Sequence, residues 1–334
     1  MPRNAAPEVT LPDAVARFRA DFERVNRAAP AASERIALAV SGGPDSMAML
    51  ALAAAGYPGQ VIAATVDHGL RSEAAAEAAL VAGCCAELGV PHATLRVTAP
   101  LGPSAIQADA REARYALLAD WAAREGASVV LTAHHADDQA ETFLMRAIRG
   151  TGPAGLAGIR PRRALGEVTL LRPLLGWTRA ALHAIAAPLP FVDDPSNADL
   201  RFERTRVRQL LAANPWLDPA GLAAAAAHAG EADAALAALA AQLWDTRRIA
   251  GKEGEVLLDI AELPREAQRR LTRRAIGHVR GIHRLESPPW SEATRIESLL
   301  DALTAGRGAS LAGVMASMRG TIWRFRLAPP RRSH

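Results

Sequence analysis

Four short apolar runs, "RIALAV", "QVIAATV", "HATLRV" and "SVVLTA", recur between residues 35 and 133. Each is rich in Val, Ile, Leu, Thr or Ala, and helical stretches lie between them. A strand that is apolar on both faces must be covered on both faces. Strands of that kind alternating with helices therefore predict an α/β domain with a parallel sheet. Such sheets bind ligands beyond the carboxyl ends of their strands. The polar clusters stand at those ends: "SGGPDS" after the first run, "DHGLR" after the second and "HHADDQAET" after the fourth.

Length and breakers set the expected domains. Residues 1–32 read as an N-terminal helical extension ("DAVARFRADFERVNRA", then Pro30), and 33–215 as the α/β domain. "NPWLDPAG" breaks the pattern. Residues 216–334 read as a smaller, mainly helical domain whose tail can end in a hairpin or short strand. Half of the 334 residues are hydrophobic, enough to fill two cores. The formal charge is +4, carried almost wholly by arginine, with Lys252 the only lysine. That excess permits a polyanionic partner without demanding one, since a GC-rich genome also inflates Arg and Ala. Cys84 and Cys85 are adjacent, which rules out a disulfide framework, and no Cys/His spacing suits zinc. The N-terminus has no apolar leader segment. The longest Ala-rich stretch is interrupted by His228, Glu231 and Asp233, so a soluble helix suits it better than a membrane span. A cytoplasmic protein is expected. The oligomeric state is not fixed, and a homodimer is compatible with the sequence.

"SGGPDS" has the parts of an anion nest but lacks the lysine of a Walker loop. Gly42 and Gly43 can adopt positive φ and bring N–H groups close to an anion. Ser41 and Ser46 offer hydroxyls, and a helix follows whose N-terminus favours negative charge. Asp45 is discordant beside phosphate unless a cation stands between them. Mg²⁺ fits, because it binds through one or two carboxylates plus substrate phosphates.

Three further stretches carry charge in pattern. In "IQADAREARYALLADW", Arg111 and Arg114 are three apart on one helix face. In "HHADDQAETFLMRAIRG", Asp137 or Asp138 can cap a helix, Glu141 lies in its first turn and Gly150 suits its end. Asp137 and Glu141 stand at i, i+4 and repel one another. A cation would relieve that, and the ammonium of a free amino acid is one candidate. In "DDPSNADLRFERTRVRQLL", Arg201, Arg204, Arg206 and Arg208 lead into and along a helix and could grip phosphates or order a loop.

S-G-G-x-D-S between strand and helix resembles the signature of the PP-loop ATP pyrophosphatases, an adenine nucleotide alpha hydrolase-like, Rossmann-like superfamily. Such a loop holds pyrophosphate as a leaving group. Taken in order with D-H-G-L-R, A-H-H-x-D-D-Q-x-E-T, R-P-L-L, D-P-S-N and the arginine helix, it resembles the tRNA(Ile)-lysidine synthetase family across residues 33–215. Two departures are visible. Thr205 stands where the family often has Asn, and the chain has room for one C-terminal domain where long members carry two. The resemblance implies ATP on Ser41, Gly42, Gly43, Asp45 and Ser46, near His68 and Arg71, with Mg²⁺ on Asp45. It implies adenylation of the wobble cytidine of a CAU-anticodon tRNA(Ile), then attack by free L-lysine to give lysidine. Catalytic roles would fall to Asp45, Asp137, Glu141, Arg111 and Arg114, and lysine binding to His135, Asp137, Asp138 and Glu141. The tRNA would meet Arg201, Arg204, Arg206 and Arg208, with the C-terminal domain assisting. A tRNA thiolase, a small-molecule adenylating ligase and a degenerate RNA-binding module are the competing readings.

Overall fold

The computed structural model describes residues 10–67, 74–97, 106–192, 201–291 and 294–329, without the side chains of 106–111. The chain divides into two compact units, Met1–Gly230 and Glu231–His334. The division falls inside one helix, some way past the breaker cluster.

In the first unit, α1 (Leu11–Asn26) precedes β1 (Arg35–Ala39), α2 (Pro44–Gly56), β2 (Val61–Asp67), α3 (Ala74–Glu87) and β3 (His92–Arg96). Then come α4 (Ile106–Arg124), β4 (Ala127–Leu131), α5 (Ala136–Ile148) and α6 (Pro153–Leu156). A hairpin of β5 (Arg162–Leu165) and β6 (Val168–Leu171), then α7 (Arg179–Ala186), α8 (Glu203–Ala213) and the start of α9 (Pro219–Arg247) complete it. The sheet order is β3-β2-β1-β4-β6-β5. All neighbours are parallel except β5 and β6. The chain steps outward from β1 in opposite directions, so a crevice opens between the carboxyl ends of β1 and β4, where ligands of such sheets bind.

The period of two explains why these strands are apolar throughout. Ile36, Leu38, Val129 and Leu131 face one core with Phe18, Phe22, Met47 and Trp177. Ala37, Ile62, Val130 and Leu170 face the other, with Tyr115, Leu118 and Trp121. The four runs read as strands are strands. The β5–β6 hairpin, turning on Gly166 at φ +62°, was not legible as one. Rather than standing apart as an extension, α1 buries Phe18 and Phe22 completely. Its Asp21 accepts a hydrogen bond from Trp177 Nε1 at 2.9 Å, and Arg17 lies over the same indole.

The second unit holds the rest of α9, β7 (Arg248–Ile249), β8 (Val256–Asp259), α10 (Arg265–Ile282) and α11 (Glu297–Thr304). It ends in β9 (Ala309–Leu311), β10 (Val314–Arg319) and β11 (Ile322–Leu327). The expected helices are there, but they pack on a five-stranded antiparallel sheet of order β7-β8-β11-β10-β9. Leu271, Ile276 and Val279 of α10 meet Leu258, Trp323 and Phe325 in its core. Only the β10–β11 hairpin, closed at Gly320-Thr321, was legible in the tail. Among the described residues no helix is long and apolar enough to cross a membrane.

Candidate active site

The loop after β1 is built by its own side chains. Gly42 is at φ +85°, a conformation a Cβ would strain, and its carbonyl accepts from the Val192 N–H at 2.9 Å. Gly43, in contrast, is the N-cap of α2 at φ −74°, so only one of the two glycines uses the left-handed region. Ser46 is buried. Its hydroxyl accepts from the Ser41 N–H at 3.1 Å and donates to the Gly43 carbonyl at 2.9 Å. It braces the loop, whereas Ser41 stays exposed beside it. Asp45 lies in the first turn of α2. Its Oδ2 is 3.3 Å from His135 Nε2, and its Oδ1 is buried without a hydrogen-bond partner among the described residues.

The start of α5 is a reciprocal cap. His135 is the N-cap and takes the Asp137 N–H on Nδ1 at 3.2 Å, while Asp138 Oδ2 accepts the His135 N–H at 3.1 Å. The ring is almost completely buried among Asp45, Asp137 and Asp138 at 3.3, 3.5 and 3.6 Å. Burial alone would lower the pKa of His135. Hydrogen bonding to Asp137 and Asp45 and the charges of Asp138 and Asp45 outweigh it and push it up to about 9. The Asp137 N–H favours an unprotonated Nδ1, but a single backbone dipole is a weaker influence than three carboxylates. Burial works against ionisation of Asp137 as well, yet His135 and the Arg179 N–H hold it below the usual carboxylate range. Asp138 is likewise held low against its burial by His135, Arg204 and His134.

The structure resolves the Asp137–Glu141 repulsion with the protein's own groups. Glu141 is almost wholly buried and receives Arg204 Nε and Arg208 Nε, each at 2.7 Å, on its two oxygens. Asp137 Oδ2 accepts the backbone N–H of Arg179 at 2.8 Å. Where the sequence suggests a substrate ammonium, the protein's own groups meet these acids: Glu141 anchors α8, and Asp137 ties α5 to α7. Arg204 and Arg208 meet Glu141 inside the protein and also line the cavity. Arg204 also donates to the Asp138 carbonyl and Thr142 Oγ1.

The rest of the histidine–aspartate motif is structural. Gln139 accepts the Ile159 N–H at 2.6 Å and donates to the carbonyls of Ala157 and Ile159. Gly158 sits at φ +64°, and a Cβ there would lie 2.3 Å from Gln139 Oε1. Position 158 therefore has no room for a side chain while Gln139 holds this loop.

These groups surround a cavity of about 610 Å³ at the carboxyl ends of β1, β2 and β4. Ser41, Gly43, Asp45 and Ser46 line it, and so do Asp138, Arg114, Arg204 and Arg208. His134, its Nδ1 hydrogen-bonded to Thr132 Oγ1 at 3.0 Å, lines it too. Arg201 and Arg206 are exposed at and near the start of α8. His68, Arg71 and the Arg111 side chain lie outside the described residues. Sequence reasoning missed Arg179 and His183, which line the cavity from α7. Their only sequence signal is an i, i+4 pair behind an N-cap Thr178, a pattern common on helices that bind nothing. Cys84 and Cys85 are buried in α3, where burial and then the neighbouring Cys84 push the Cys85 thiol up to about 11. Among the described residues no cluster of three or more His, Cys, Asp or Glu is placed to hold a metal ion.

Residues 16–214 match a family model described as a PP-loop domain. The chain is 47% identical to a tRNA(Ile)-lysidine synthase from Novosphingobium aromaticivorans over 97% of each chain. It is 44% identical to one from Zymomonas mobilis over 90% of each. Among solved structures it resembles the U34-tRNA thiolase NcsA from Methanococcus maripaludis, solved with its 4Fe-4S cluster. The TM-score is 0.52 at 16% identity, over 66% of this chain and 78% of that one, a likeness of fold alone.

Proposed function

Since the chain belongs to the tRNA(Ile)-lysidine synthase family, we propose that it joins free L-lysine to C2 of the wobble cytidine of a CAU-anticodon tRNA(Ile), using ATP. The observation that carries this reading is one cavity with the PP-loop on one wall and the acidic start of α5 on another. An adenylated base and an amine can then meet without leaving the site.

Asp45 is the residue for Mg²⁺. Its buried Oδ1 lacks a hydrogen-bond partner, and such an acceptor suits a hard cation shared with phosphates. When bound, Mg²⁺ would offset the repulsion between this carboxylate and ATP. The Gly42 turn and the start of α2 present N–H groups to the phosphates.

Asp138 is the acid best placed for the lysine ammonium, because it lines the cavity and is held ionised. A free lysine amine has a pKa near 10.4, so at pH 7 only about one in 2,500 is unprotonated. The attacking amine must therefore give up a proton. His134 lines the same cavity, with its Nδ1 hydrogen-bonded to Thr132 Oγ1, and is the side chain we assign to take that proton. We assign the exposed Arg201 and Arg206 to the tRNA backbone. The thiolase alternative needs a reactive cysteine, and both thiols are buried with raised pKa values.

The test is direct. Purified protein with ATP, Mg²⁺, lysine and this tRNA should yield lysidine by nucleoside mass spectrometry. Absence of a lysine-dependent mass increase refutes the reading. Asp45→Ala should abolish turnover while leaving tRNA binding within about twofold, as expected for an interaction specific to the reacting nucleotide.

A further inference from the structure

The cavity contains more positive charge than the sequence motifs account for, and one of its arginines, whose charge reaches Asp137, has a guanidinium with no hydrogen-bonded acid of its own among the described residues. Arg204 and Arg208 are engaged by Glu141. Arg179 is half-buried on the cavity wall, and its guanidinium makes no hydrogen bond or ion pair among the described residues. Its backbone is held firmly, as the first residue of α7 after the Thr178 cap and as donor to Asp137 Oδ2 at 2.8 Å.

This places Arg179 in a closed ring of contacts around the PP-loop. Asp45 Oδ2 meets His135 Nε2 at 3.3 Å, and His135 Nδ1 lies 3.5 Å from Asp137 Oδ2, which takes the Arg179 N–H. One helical turn beyond Arg179, His183 Nε2 comes back to within 3.8 Å of Asp45 Oδ1. Residues i and i+4 share a helix face, so α7 turns the face bearing Arg179 and His183 toward the aspartate of the PP-loop. A planar guanidinium with unused donors, fixed at its backbone and free at its tip, suits the paired oxygens of a phosphate.

We propose that the Arg179 guanidinium binds the phosphate chain of ATP and that α7 forms a wall of the nucleotide site. This rests on the ATP reading above. The side chain contacts substrate, while its backbone N–H keeps Asp137 in place whatever side chain stands there.

That separation makes a clean test. Full-length protein is titrated calorimetrically with Mg²⁺ and α,β-methylene-ATP, without tRNA or lysine. Arg179→Gln should weaken binding by about ten- to a hundredfold, the worth of charge-assisted hydrogen bonds. Arg179→Lys should recover part of the loss by restoring the charge without the fork. Both variants should melt at the wild-type temperature, and in turnover KM for ATP should rise more than KM for tRNA. Wild-type affinity in Arg179→Gln overturns the proposal. So does an equal loss in Gln and Lys variants with a lowered melting temperature, which marks a structural role. If wild-type protein itself does not bind the nucleotide, the ATP reading fails first and this inference falls with it.

Discussion

Two helices, α8 and α10, have similar arginine-rich sequences and use their arginines differently. Read as sequence, "RFERTRVR" and "REAQRRLTRR" are both basic faces suited to RNA. In α8, Arg204 and Arg208 close on Glu141, which is 1% exposed, while Arg206 stays outside. In α10, Arg265 and Arg269 reach Glu297 and Asp301, Arg270 reaches Asp233, and Arg274 lies over Trp244. Glu297 and Asp301 are 51% and 63% exposed, and Glu266, which also meets Arg269, is 28% exposed, all far more open than Glu141. A basic helix therefore says little about free charge. Burial of the partner acid decides whether a pair holds the fold or merely decorates it.

Removing the buried acid should have the largest effect. Glu141→Ala leaves two arginines without their anion and should cost about 3 kcal/mol or more in chemical denaturation, with loss of turnover. A cost below about 1 kcal/mol would erase the distinction between the helices. The next effect is alkaline. His135 is raised to about 9 in the folded protein from about 6.5 unfolded. Its contribution is full below pH 6.5 and is lost as pH rises through 9, about 3 kcal/mol at most. Denaturation midpoints should fall across that window and flatten in His135→Gln. The α10 pairs behave in the opposite sense. Arg269 and Arg265 hold the Glu297 carboxyl below its usual range, so that contribution is lost as pH falls into the acid range.

Smaller still, Arg269→Ala should cost about 0.5 kcal/mol or less, as partly exposed pairs do, and the cost should shrink in high salt. The smallest stability change belongs to Arg206→Ala. It should lower the melting temperature little, because Arg206 is exposed, yet weaken tRNA binding and reduce its log–log salt slope by about one unit. If Arg206→Ala leaves the salt slope unchanged, α8 has no exposed RNA contact, and both helices serve only the fold.

Legibility follows the range of the interactions. The four central strands were readable because a strand covered on both faces needs apolar residues at every position. The PP-loop was readable because a tight turn into a helix needs Gly42 and a bracing Ser46 within six residues. The β5–β6 hairpin was missed because it is short and begins with "RRAL", whose arginines hide its pattern. The helices and the final hairpin of the second unit were visible, but not the sheet that joins them. Its pairing of β8 with β11 spans more than sixty residues, and local periodicity carries no record of such a partner.

The site divides along the same line. Sequence by itself determined the α/β class, the phosphate loop and the presence of Asp45, Asp138 and His135 near the strand ends, since each follows from local turn and cap chemistry. Tertiary structure alone decided which charges meet. It gave Glu141 to Arg204 and Arg208, 63 and 67 residues away, and it brought Arg179 to Asp137 across 42 residues. Electrostatic partners are chosen by proximity in the folded chain, where burial makes an unpaired charge costly. A pattern of like charges along a helix cannot reveal which of them the fold will neutralise and which, like Arg179, it will leave facing the cavity.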